Sequence, residues 1–314
     1  MEELISKYHE PDSIWTIWNI RSYNEYMSKF MVRGKFHDQV PKEIIKEYEQ
    51  VERLLCYSYY CYPLIDEAFS KVTRIFESAV NLKLKEHRIE NKSGYDSLNE
   101  KLKKIEKFTS PEIYNFWNHA RKVRNIFAHP KPGRLMGITI FSSFLLMINI
   151  LNTLFLDKTD IEFNENSLID LKDQAKKLET GLFILEFDSK RILVWSILPY
   201  SFFKYGNILK SFWVFHPVFT YFPQTTEKLD FSLPISFRLK NVKIHPKGLT
   251  GVNLITGKTI NVIKTDKEEN RNSLKAHELL IENSGLEVKQ LYWNFLEREM
   301  FNEVVRFLYH ECWN

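Results

Sequence analysis

Apolar positions recur at helical spacing over the first half of the chain and alternate as in strands over much of the second. Ile14, Trp15, Trp18, Tyr26 and Phe30 lie on one side of a helix expected from about Asp12 or Ser13, with Gly34 ending it. Pro41-Lys42-Glu43 opens a second helix through Ile44, Ile45, Tyr48, Val51, Leu54 and Leu55. Pro63 starts a long third helix, to about Arg88, with Leu64, Ala68, Val72, Ile75, Phe76, Ala79, Val80 and Leu82 apolar. Asn91-Lys92-Ser93-Gly94 reads as a turn, and Leu98, Leu102 and Ile105 make a shorter helix.

A further helix begins at Ser110-Pro111-Glu112, which places a capping hydroxyl, a first-turn proline and an acid at the positive end of the dipole. Ile113, Phe116, Trp117, Ala120, Val123 and Phe127 give it one apolar stripe. Asn118, Arg121, Lys122, Asn125 and His129 follow the same period on another face, with Arg124 at the border between the two. Pro130 disfavours helical geometry at the residue before it, so His129 is expected at or just past the last turn, at a cationic helix end.

Residues 135–156 carry no charge, a run of twenty-two that is long enough to span a bilayer. Thr139, Ser142, Asn149, Asn152 and Thr153 fall near one face of it and no aromatic belt flanks it, so a buried final bundle helix is favoured over a membrane span. The polar and charge-rich stretch 157–180 marks the domain boundary.

Beyond it, 182–187 and 191–195 flank Asp188-Ser189-Lys190 as a hairpin, and 212–222, 235–244 and 252–263 read as extended. The last of these is a hairpin turning near Gly257. Gly257-Lys258-Thr259 is not a phosphate loop: that motif needs glycine at 252, where Val252 stands, and no helix pattern follows. Glu287 to Cys312 is amphipathic and helical, closing the second domain or packing back on the first. The expected fold class is therefore α+β: an all-α bundle over 1–160, then a basic, β-rich domain over 178–314 closed by a long helix.

The length suits two domains, and 44% hydrophobic content is ample for packed cores. Cys56, Cys61 and Cys312 have no metal-ligand spacing and form an odd set, which suits a reducing cytoplasm. The acidic start, Met1-Glu2-Glu3, lacks the basic region of an export signal. Net charge is +4, but its distribution is uneven. Arg121, Lys122, Arg124, Lys131 and Arg134 form an acid-free tract, and 189–265 holds eleven Lys and Arg against Glu227 and Asp230. Such tracts suit a polyanion, nucleic acid above all. Aromatics interleaved with those bases (Trp195, Tyr200, Phe202, Phe203, Tyr205, Phe212, Trp213, Phe215 and Tyr221) suit either base stacking or a strand core.

Arg124-Asn125-x-x-x-His129 before Pro130, together with the order of the surrounding helices over about 41–157, resembles the arginine–histidine motif of the HEPN superfamily. The resemblance implies a HEPN-like helical bundle and a metal-independent endoribonuclease that needs no cofactor. It implies Arg124, Asn125 and His129 as the catalytic set. Arg121, Lys122, Lys131 and Arg134 would then contact the RNA backbone. Two motifs facing each other in a homodimer are implied, as is a toxin or antiviral-defence setting with an inhibitory or activating protein partner. A catalytically inactive RNA-binding or assembly protein is the other reading, and a membrane-anchored effector rests on 135–156 alone.

Overall fold

Prolines and capping side chains start the helices of the first half. Ser22 accepts from the Glu25 amide at 3.2 Å and begins α1 (Tyr23–Phe30). Pro41 precedes α2 (Lys42–Tyr57), and Pro63 precedes α3 (Leu64–Glu86). Ser97 and Glu100 form a capping box for α4 (Leu98–Ile105), satisfying amides that the first turn leaves free. Then come α5 (Pro111–Ala128) and α6 (Phe141–Phe155), the latter entered by a 3-10 turn at Gly137–Ile140. The computed structural model describes residues 8–89, 96–128, 137–205, 208–227 and 229–313. It divides into two units, 1–161 with 313–314, and 162–312.

The single helix expected from Asp12 to Gly34 is instead a 3-10 turn (Ser13–Thr16), a break and α1. Asp12 caps the short turn, Asn19 takes a left-handed φ of 53°, and Ser22 starts a new helix. Those local side-chain bonds outcompete continuation of the helix. Trp15 is buried, its indole N–H donating to the Ser58 carbonyl at 3.2 Å, whereas Trp18 is exposed. The turn at Asn91–Gly94 lies outside the described residues.

In the first unit α3 forms the centre, with α2, α4, α5 and α6 packed against it. The stretch Gly137–Phe155 is long and apolar enough to cross a membrane, yet most of it is buried inside this unit. Its polar stripe is used internally. Thr153 accepts the Trp117 indole N–H at 3.1 Å, and Asn149 accepts that of Trp313 at 2.6 Å. Asn152 accepts from the His37 amide at 3.0 Å and donates to the carbonyls of Lys35 and Ile148. Each bond removes a desolvation cost that an apolar helix core would otherwise impose.

Most of 157–180 is helix, α7 (Lys158–Ala175), whose Leu171 and Ala175 pack on the core of the second unit. That core fills a closed antiparallel barrel of six strands in chain order. They are β1 (Phe183–Phe187), β2 (Lys190–Tyr205), β3 (Ile208–Pro217), β4 (Ile235–His245), β5 (Gly248–Asn253) and β6 (Thr259–Lys264). Pairing of β1 with β6, Phe183 opposite Lys264, removes the free edges. Asp188 and Ser189 turn the first hairpin with φ of 46° and 63°, and Gly257 turns the last with φ of 69°. Gly248, at φ 152°, has no room for a side chain: a Cβ would lie 1.9 Å from the Val262 carbonyl oxygen. Helices α8 (Glu268–Glu282) and α9 (Leu286–Phe307) follow, and α9 runs on into a π turn at Leu308–Cys312. The fold is α+β, helical first and closed by a helix.

Candidate functional site

Helix α5 is anchored along its length. Ser110 Oγ accepts the Ile113 amide at 3.2 Å, Trp117 and Ala120 are fully buried, and Phe127 packs on Phe69 of α3 with ring centres 4.5 Å apart. The polar face is thereby held outward. Lys122 and Asn125 are exposed, as is the apolar Ile126 beside them.

Arg124 leaves this face toward α3. Its Nη2 donates to Glu77 Oε2 at 2.7 Å, and Lys101 of α4 stands 3.8 Å from the other Glu77 oxygen. One carboxylate thus sits between two cations and ties three helices. Arg124 is 27% and Glu77 30% exposed, so water screens the pair and its net worth is about 0.5–1 kcal/mol. Nη1 lies 3.5 Å from Asn125 Oδ1, at the outer limit of a hydrogen bond. Arg121 bonds back to Asn118 at 2.8 Å through Nε, which holds it along the helix surface.

The structure therefore brings Arg124 and Asn125 together and places Arg121 and Lys122 on the same helix within two turns. His129, Lys131 and Arg134 lie outside the described residues. Glu77 and Lys101 had gone unnoticed in the sequence. Their signal is faint: an acid on a long helix acquires a role only once the fold has set α5 across it.

The second unit divides its aromatics between core and surface. Phe203, Phe212, Trp213 and Phe215 are buried, and Trp213 and Phe215 belong to the barrel core, where alternation puts them. They cannot stack on bases. Tyr221 is exposed, Trp195, Tyr200 and Phe202 are half-buried, and the Tyr205 side chain lies outside the described set. Several bases are also neutralised. Arg238 pairs with Glu311 at 3.1 Å, Lys258 with Asp188 at 2.8 Å and Arg191 with Glu186 at 3.0 Å. Lys190, Lys204, Lys243, Lys247 and Lys264 remain at the surface.

Among the described residues no cluster of three His, Cys, Asp or Glu side chains is placed to hold a metal ion. Comparison of the chain with family models, with curated proteins and with solved structures finds no match.

Proposed function

We propose that the chain is a metal-independent endoribonuclease of HEPN type, with Arg124, Asn125 and His129 as its reacting set. The observation that carries this reading is the placement of Arg124. Its guanidinium sits partly exposed near the C-terminal end of an anchored helix, held by a carboxylate that a phosphate can replace. An exposed ion pair of small net worth fixes the side chain before substrate arrives and costs little to exchange. Arg is suited to the task because its planar fork meets two phosphate oxygens at once.

In the proposed reaction the ribose 2'-oxygen attacks the adjacent phosphorus while its proton passes to a base. The P–O5' bond breaks, and the leaving 5'-oxygen takes a proton from an acid. The products are a 2',3'-cyclic phosphate and a 5'-hydroxyl. The pKa of histidine lies near neutrality, which suits His129 to this proton traffic. Arg124 stabilises the charge growing on the phosphate, and Asn125 orients the phosphate or the imidazole. One imidazole serves acid and base poorly together, so a homodimer supplies the second. Lys122, Arg121, Lys131 and Arg134 contact the flanking backbone. A cytoplasmic toxin or defence effector, restrained by a protein partner, is the setting this reading favours.

A specific observation favours a second reading. The Arg124–Glu77–Lys101 cluster joins α5, α3 and α4, which is what a purely architectural arginine does. The chain would then be an inactive RNA-binding or assembly protein. Arg124→Ala set beside Glu77→Gln separates the two. If Arg124 serves catalysis, Arg124→Ala loses cleavage, whereas Glu77→Gln still cuts RNA and loses only a little stability. If Arg124 is architectural, neither Glu77→Gln nor Arg124→Ala alters any cleavage.

A further inference from the structure

Strand β2 and helix α9, both in the second unit, enclose a pocket of about 560 Å³, within the range of small-molecule sites. Trp195, Ser196 and His216 line it from the barrel, and Ser196 and His216 are almost fully buried. Leu296 and Met300 line the helix side. Trp293, Glu297 and Phe301 succeed one another every four residues along α9, so they share one helix face, and all three are exposed. Two large aromatic rings thus stand in water beside the pocket.

Its polar groups restrict what fits. Burial pushes the His216 pKa down to about 4, so at neutral pH the ring is uncharged and offers one donor and one acceptor. That ring makes no side-chain hydrogen bond to another described residue. The neighbouring Trp195 indole, 5.5 Å from it between ring centres, has a buried N–H without an acceptor among the described residues. Of the described lining residues Glu297 alone carries a charge, and it is negative. An anion is therefore disfavoured inside, and an aliphatic guest would leave the imidazole unpaired at a cost. A flat ring with both donor and acceptor edges suits the neutral imidazole.

We propose that this pocket binds an uncharged heteroaromatic ring of nucleobase type, stacked by Trp293 and hydrogen-bonded by His216. The inference rests on the geometry of the second unit and not on the nuclease reading. Such a ring has two sources, a free nucleoside or a base turned out of an RNA strand, whose phosphates would stay outside the pocket.

The test is titration of the full chain with the four ribonucleosides, with a short 2'-O-methyl RNA that resists cleavage and with ribose 5-phosphate, followed by tryptophan fluorescence and calorimetry. At least one nucleoside, or the oligomer, is expected to bind, while ribose 5-phosphate does not. Trp293→Ala, an exposed change that leaves the fold alone, should weaken binding about tenfold. His216→Phe should remove preference among bases. Nucleoside binding identifies the free source, and binding of the oligomer alone, weakened by Trp293→Ala, identifies the strand. Arg124→Ala should bind the nucleosides as the unaltered chain does, even if all cleavage is lost. Absence of binding, equal binding of ribose 5-phosphate, or unchanged affinity in Trp293→Ala overturns the proposal.

Discussion

Replacing His216 with Phe should flatten the acid side of the stability profile. His216 is 4% exposed, and burial lowers its pKa from the ordinary 6.5 to about 4. The unfolded chain then takes up a proton on this ring below pH 6.5 that the folded chain refuses until about pH 4. Stability from the neutral ring is complete above pH 6.5, falls as pH drops through that window, and levels off below about 4. Linkage gives a loss of about 1.4 kcal/mol at pH 5.5 and about 2.5 kcal/mol at pH 4.5, order-of-magnitude values. Burial also lowers the pKa of His37 and His277, so the unaltered chain loses more than this. Their contributions cancel in the difference between variant and parent. Urea unfolding at a series of pH values, read by fluorescence and circular dichroism, measures that difference. Parallel loss of stability in both proteins from pH 7 to 4.5 would mean instead that His216 is solvated or already paired.

Trp117→Phe should cost about 1–2 kcal/mol, because it removes the indole bond to Thr153 and leaves a small void in a fully packed site; thermal unfolding checks this. Glu77→Gln should lower stability by no more than about 1 kcal/mol in low salt and by less in high salt, as expected of a pair that is about a quarter exposed. Gly137→Ala should destabilise the entry to α6 by about 2 kcal/mol or more. Its φ is +54°, and the new Cβ would fall 2.0 Å from the Tyr62 hydroxyl; denaturant midpoints test it.

Much of the helical unit was legible because local chemistry marks its ends. Pro41, Pro63 and Ser110 each start a helix at the expected place. Asp188-Ser189 and Gly257 mark hairpins for the same reason, the demand for positive φ. The break at Asn19 was hidden beneath a continuous apolar stripe, which periodicity alone reads as one helix. Helix α8 escaped notice because among its residues His277 is buried while most others face water. Barrel closure depends on β1 meeting β6, with Phe183 opposite Lys264 although the two lie far apart in the chain, and no local pattern encodes such a pairing. Trp213 and Phe215 looked like candidates for stacking because sequence does not reveal which face of a strand becomes the interior. At the site, Arg124 stood out as a long cation at the border of an apolar stripe. Its partner Glu77 lies 47 positions away and had to await the fold.

The purified protein should cleave single-stranded RNA in the presence of a chelator. Products ending in 2',3'-cyclic phosphate are expected, with DNA untouched because it lacks the 2'-hydroxyl. His129→Ala should abolish cleavage. Arg124→Ala should cost about 2–4 kcal/mol of transition-state stabilisation, and Arg124→Lys should recover part of that through charge without the fork. Full cleavage by both alanine variants, or none by the unaltered protein as a dimer, would contradict the nuclease reading.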